Sequence, residues 1–130
     1  MAIYIALLRK ERDSDFGVDF PDFPGCITAG ETLEEAHRRA PAALRLHLKG
    51  MVEDGDPIPE SSSLEEILDD PANKDAVPFL VKVPETKTKR ISITIPETHL
   101  ETIDAFARRH GLSRSSFLVK AAKRAMAEAP

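Results

Sequence analysis

The chain has one cysteine, Cys26, in 130 residues. A lone thiol cannot close an internal disulfide, and no cysteine–histidine group has the spacing of a metal site. No glycine-rich phosphate loop occurs, and no apolar run is long enough to span a membrane. No charged segment followed by an apolar stretch stands at Met1. Disulfide scaffolds, zinc modules, nucleotide cradles and membrane helices are thereby set aside. The expectation is a cytoplasmic protein with no cofactor and no membrane partner.

Catalytic groups are equally sparse. Asp15, Asp19 and Asp22 lie close in sequence, but Asp22 sits beyond Pro21, and nothing nearby completes a metal site. Solvated turn carboxylates explain them. Cys26 has no neighbouring base and reads as a buried structural thiol. His37 and His47 stand ten residues apart on one expected helix, and His99 and His110 fall far downstream. The sequence thus yields no catalytic residue and no metal ligand, and it is not read as an enzyme.

Charge divides the chain. From Lys87 onward there are nine Lys/Arg and four Asp/Glu, a net +5, whereas residues 1–86 carry nine against eighteen, a net −9. A basic tail on an acidic body fits nucleic acid on one side and a basic protein on the other.

In the body, residues 2–8 are apolar on both faces, as expected of a central strand. Phe16, Val18 and Phe20 alternate with smaller or polar residues and predict a second strand. Pro21-Asp22-Phe23-Pro24-Gly25 forces a rigid turn before a short strand at residues 26–30. Thr32-Leu33-Glu34-Glu35 is a capping box that opens a helix to about Val52. Leu33, Ala36, Ala40, Leu44 and Leu48 form its buried stripe, and Pro41 should kink it. A short helix over 63–69, capped by one of Ser61, Ser62 or Ser63, precedes a fourth strand at 77–83. Pro78 places that strand at an edge or a strand start. The body is an α+β unit in the order β-β-β-α-(α)-β, one sheet with a helix on it.

The run Phe20-Pro21-Asp22-Phe23-Pro24-Gly25-Cys26-Ile27-Thr28-Ala29-Gly30, then Glu31-Thr32-Leu33-Glu34-Glu35-Ala36, resembles the HicB family of type II antitoxins. Asp54-Gly55-Asp56-Pro57-Ile58-Pro59 is similar to that family's helix exit. The resemblance implies a partial ribonuclease-H-like sheet without its catalytic carboxylates. It also implies a partner, a small basic HicA-type toxin that cleaves mRNA, whose active site the antitoxin covers.

Residues 84–88 begin with proline, are polar, and lie where the charge changes sign, as an interdomain linker would. Residues 1–83 then form the toxin-binding domain and residues 89–130 the tail. In the tail, Arg90, Ser92 and Thr94 alternate with Ile91, Ile93 and Ile95, the pattern of a strand with one polar and one oily face. Two amphipathic helices follow, about 97–110 and from Ser113 onward, separated by Gly111. So short a piece buries too little surface alone, and a lone strand leaves unpaired edges. Antiparallel pairing with a second copy cures both. The expectation is an obligate homodimer, or a tetramer of such dimers.

Lys89-Arg90-Ile91-Ser92-Ile93-Thr94-Ile95-Pro96 and Gly111-Leu112-Ser113-Arg114-Ser115 resemble the strand and inter-helix turn of ribbon-helix-helix DNA-binding domains. Because the major groove admits a two-stranded ribbon, Arg90, Ser92 and Thr94 would face the bases of operator double-stranded DNA. Lys87, Lys89, Ser113, Arg114 and Ser115 would hold phosphates, the last three at a helix N-terminus. Lys120, Lys123 and Arg124 read as a solvated helix face. The expected function is a two-headed antitoxin that neutralises its toxin and represses its own operon. A stand-alone regulator with a sensor body, and a helix-turn-helix reading of residues 114–124, are the alternatives.

Overall fold

The computed structural model describes residues 1–130, which form two compact units. One comprises Met1–Leu48 with Pro59–Glu85; the other comprises Lys49–Ile58 with Thr86–Pro130.

The first unit is built on four antiparallel strands, β1 (Ala2–Lys10), β2 (Phe16–Asp19), β3 (Ile27–Gly30) and β4 (Val77–Val83), in the order β3-β2-β1-β4. β1 is interior, and Tyr4, Ile5, Ala6 and Leu7 are all buried, as a strand covered on both faces requires. β4 is an edge strand, the position at which a sheet tolerates Pro78. β3 begins one residue later than the sequence pattern suggests. Cys26 instead closes the Pro-Gly turn, its amide donating to the Phe23 carbonyl.

Helix α1 (Leu33–Asp54) runs unbroken through Pro41 and two residues past its expected end. It covers the face that carries Tyr4 and Phe79. The His47 ring meets Phe23 edge-on at 5.8 Å, Phe23 meets Tyr4 at 4.7 Å, and His37 lies against Phe79 at 4.9 Å. Ala36, Ala40, Leu44 and Leu48 are its buried stripe, but Leu33 is exposed. In the first turn a helix has not yet passed over the sheet, so the stripe begins one turn later than periodicity alone predicts. The entry is tight at Gly30, where an added Cβ would stand 2.5 Å from the Ala36 amide nitrogen. Thr32 caps the helix by accepting the Glu35 amide at 3.1 Å. The reciprocal half of the box is replaced by an ion pair between Glu35 and Arg39.

The opposite sheet face is covered by α2 (Leu64–Leu68) and a single 3₁₀ turn at Pro71–Asn73. Ile67 packs on Ile5 and Leu7. Ser63 is the N-cap of α2 and forms a complete capping box with Glu66. The 3₁₀ turn has no sequence periodicity of its own. It is held by Asn73, which donates to the Ile67 carbonyl at 2.9 Å and accepts from Arg9.

The second unit contains α3 (Glu97–Arg109) and α4 (Arg114–Glu128). Residues 84–96 have no regular secondary structure in the single chain. The strand expected at 90–95 therefore forms no ladder there, because one chain supplies no neighbour to pair with it. Two helix ends in this unit share a Schellman motif. After α3, Gly111 has φ +66°, its amide donates to Arg108, and the Leu112 amide donates to Ala107. After α1, Gly55 has φ +71°, its amide donates to Val52, and the Asp56 amide donates to Met51.

Candidate functional site

Of the three carboxylates that could suggest catalysis in the first unit, Asp15 is exposed, and Asp19 and Asp22 are engaged. Asp19 on β2 accepts from the Arg9 guanidinium at 2.6 Å, and Arg9 also donates to Asn73 and to the Ala72 carbonyl. Asp22 accepts from the amide and the hydroxyl of Ser62, at 3.0 and 2.6 Å. These two carboxylates organise the loops around the sheet and do not converge on a common point. Cys26 is buried, its Sγ points at the Ala43 carbonyl, and burial pushes its thiol up to about 11. A thiol held protonated at neutral pH is a poor nucleophile.

In the second unit the sequence-predicted DNA residues fall into two groups. Lys87, Lys89, Arg90, Ser92 and Thr94 all lie in the extended segment before α3, and all are exposed. Ile91 and Ile93, between them, are 78% and 61% exposed. An alternating segment with both its polar and its apolar side chains in water has no buried face in the single chain.

The other group stands at the start of α4. Ser113 is the N-cap, and its hydroxyl accepts the Ser116 amide at 3.0 Å. That hydroxyl is committed to the helix, leaving the amides of Arg114 and Ser115 as the free donors of the first turn. No acidic residue occupies that turn. Arg114 forms a bidentate pair with Asp104 of α3, Nε to Oδ1 at 2.9 Å and Nη2 to Oδ2 at 2.8 Å. The hydrogen bond from Arg114 holds the Asp104 carboxyl below its ordinary range, and the carboxylate raises the guanidinium in return. Both groups are solvent-accessible, so the pair orients the side chain more than it stabilises the fold. The two helices also meet through Phe106 and Phe117, 5.2 Å between ring centroids, and Phe106 stacks on His110 at 4.1 Å.

Sequence reasoning missed three participants. Asp104 shows no signal as a partner of Arg114, being ten residues away across a turn. Ser116 reads as an ordinary helix serine, yet it is fully buried and donates to the Asp54 carbonyl at 2.8 Å. Lys123, expected on a solvated face, donates to the Glu53 carbonyl. Arg124 does stay on the surface, paired with Glu128 one turn on.

No helix is long and apolar enough to cross a membrane. The family model described as the HicB-like antitoxin of bacterial toxin–antitoxin systems matches residues 4–122. A 14.9 kDa protein from the rep–hol intergenic region of Haemophilus phage HP1 (strain HP1c1) is 37% identical over 122 residues, 89% of this chain and 91% of that protein. The crystal structure of the Burkholderia pseudomallei antitoxin HicB superposes with a TM-score of 0.59 at 32% identity, covering 94% of this chain and 96% of that one. A chain of the HicA3–HicB3 toxin–antitoxin complex superposes with a TM-score of 0.54 at 27% identity, over 64% of this chain and 99% of that one. The chain belongs to the HicB-like antitoxins of bacterial toxin–antitoxin systems, a family that is not enzymatic.

Proposed function

We propose that this antitoxin binds and neutralises a HicA-type mRNA-cleaving ribonuclease in the cytoplasm, and that it represses its own operon by binding the operator. Toxin neutralisation is assigned to the first unit, read as a partial ribonuclease-H-like domain, and its support is the similarity to a chain of a HicA3–HicB3 complex. An acidic body suits a basic partner.

The observation that carries the DNA half is the state of residues 90–95. Ile91 and Ile93 are left in water beside Arg90, Ser92 and Thr94. Ala121, Ala122, Ala125 and Met126 on α4 are exposed as well. A second copy would pair the two segments as an antiparallel ribbon, bury the isoleucines against the helices, and turn Arg90, Ser92 and Thr94 outward on one face. That is a ribbon-helix-helix dimer. Its ribbon enters the major groove, with Arg90 able to make a bidentate contact to guanine. The free amides of Arg114 and Ser115 would meet a backbone phosphate, with Lys87 and Lys89 on neighbouring ones.

Expression of the native operon with a tag on this chain tests both halves. A stoichiometric small basic protein that cleaves RNA once released, together with retention of upstream DNA by a dimer, is the expected result. A chain that binds the upstream DNA with no protein partner would overturn the antitoxin–toxin assignment. A chain that stays monomeric and ignores that DNA would overturn the repressor assignment.

A further inference from the structure

The sheet face under α2 is only partly covered. Leu80 lies directly opposite Ile5 in the β1–β4 register, which puts both side chains on that face. Ile3 shares the face, two residues along from Ile5. Ile67 of α2 packs on Ile5 and Leu7, but α2 is only five residues long. Leu80 is left 64% exposed and Ile3 41%. Leu64 and Leu68, on the helix either side of Ile67, are 41% and 43% exposed. Four large apolar side chains thus border one buried contact.

The charge around this shelf is mainly negative. Residues 59–76 contain six carboxylates and a single Lys74. Glu65, Asp69 and Asp75 make no ion pair, while Glu66 and Asp70 cap the turns they stand in. Lys82, directly opposite Ile3 in the register, shares this face and is the one cation on β4. An apolar centre rimmed by free carboxylates has the anatomy of a protein interface. A second copy of this chain would bring the same negative segment to the contact, and like charges repel. A basic protein meets the rim with the opposite sign.

We infer that the shelf formed by Ile3, Leu80, Leu64 and Leu68, with the carboxylates of residues 59–76 around it, is the docking surface for the basic toxin. The inference rests on the toxin-binding function proposed above and gives that function a place on the molecule. Other exposed apolar residues of this unit lie elsewhere: Leu46 and Leu33 on α1, Ile27 on β3, and Val77, which by strand alternation points to the opposite sheet face from Leu80.

The test uses the full chain and, as probe, the small basic protein that co-purifies with it. Leu80→Lys and the pair Glu65→Lys/Asp69→Lys are compared with Leu46→Lys by titration calorimetry, and thermal unfolding verifies that each variant folds. Loss of a central apolar anchor should weaken binding by about 30-fold or more. The double charge reversal should weaken it by about 10-fold, and more steeply at low salt. Leu46→Lys should bind like the parent. Parental affinity in the double reversal, which alters only exposed side chains, or in a folded Leu80→Lys, overturns the inference while leaving toxin binding intact. A Leu80→Lys that merely dissolves a homo-oligomer, with toxin affinity unchanged, also overturns it and makes the shelf a self-contact. If no basic protein co-purifies with the parent chain, the antitoxin–toxin reading fails and this inference falls with it.

Discussion

The Ser116 hydroxyl, buried on α4, donates to the backbone carbonyl of Asp54 at the end of α1, 2.8 Å away. The last turn of α1 carries no basic residue, so nothing in its own sequence offsets the negative end of its dipole. The Schellman turn at Gly55 satisfies Met51 and Val52. Ser116 and Lys123 then take the next two carbonyls, Asp54 and Glu53. The second unit therefore includes the tip of α1 as a structural part of its own core. Its N-terminal limit by sequence composition, near residue 89, leaves that part out.

Substitution at this junction should show the coupling. Ser116→Ala removes one hydrogen bond and should cost about 1 kcal/mol in urea unfolding. Gly55→Ala should cost more. Its φ of +71° is unfavourable for alanine, by about 1–2 kcal/mol. The new Cβ would also stand 2.6 Å from Val119 Cβ and Cγ2. Adding Val119→Ala removes the Cγ contacts, although not the one with Cβ, so the double variant should be less destabilised than the two single costs combined. Simple additivity in that cycle would show that the contact is not made.

Gly30→Ala should be severe for a different reason. The backbone there is ordinary, but the methyl would lie 2.5 Å from the Ala36 amide nitrogen and 2.9 Å from the Glu35 carbonyl carbon. Backbone cannot swing aside as a side chain can, so α1 must lift from β3. A loss of about 3 kcal/mol or more is expected, read as a lower urea midpoint. A midpoint within experimental error of the parent would mean that the helix entry is loose.

Cys26 links stability to alkaline pH. Its thiol stands near 11 when folded and returns to its ordinary value, 9.0, when unfolded. A raised folded value means that the stabilisation is fully present below pH 9 and is lost as pH rises towards 11. Cys26→Ala should flatten the fall in stability over that window. At pH 8, iodoacetamide should modify the native thiol slowly and the urea-unfolded thiol quickly. Fast native labelling would contradict the burial.

The Asp104–Arg114 pair should restrain non-specific DNA binding. Asp104→Asn keeps the shape, frees the guanidinium for a phosphate, and should tighten binding to all sequences alike. The slope of log affinity against log salt should steepen by about 1. Glu101→Gln, on the same helix, makes the same charge change without touching Arg114. Equal effects from both would reduce the result to net charge. Arg114→Ala should weaken specific and random DNA equally.

Arg90→Ala should behave otherwise. Loss of a bidentate base contact costs about 1–3 kcal/mol on the operator and relaxes preference at one position. Competition binding against operators altered one base pair at a time measures it. Uniform weakening on operator and random DNA would remove Arg90 from the base-reading set.

What the sequence determined by itself was local. The two-sided apolar run of β1 marked an interior strand, and Pro78 marked an edge. Ser113 and Gly111 marked the junction of α3 and α4, because caps and left-handed glycines act within a few residues of themselves. The strand read from the alternation at 90–95 is not formed in the single chain. What tertiary structure decided were the partners separated by long stretches of chain. Asp19 went to Arg9 and Asp22 to Ser62, pairings that no local pattern announces. Lys123, still exposed, reached the Glu53 carbonyl, seventy residues back. Leu33, apolar and in phase with the buried stripe, stayed in water because the sheet does not reach it. Periodicity specifies which side of an element is oily, whereas only the assembled fold specifies how far the opposing surface extends to meet it.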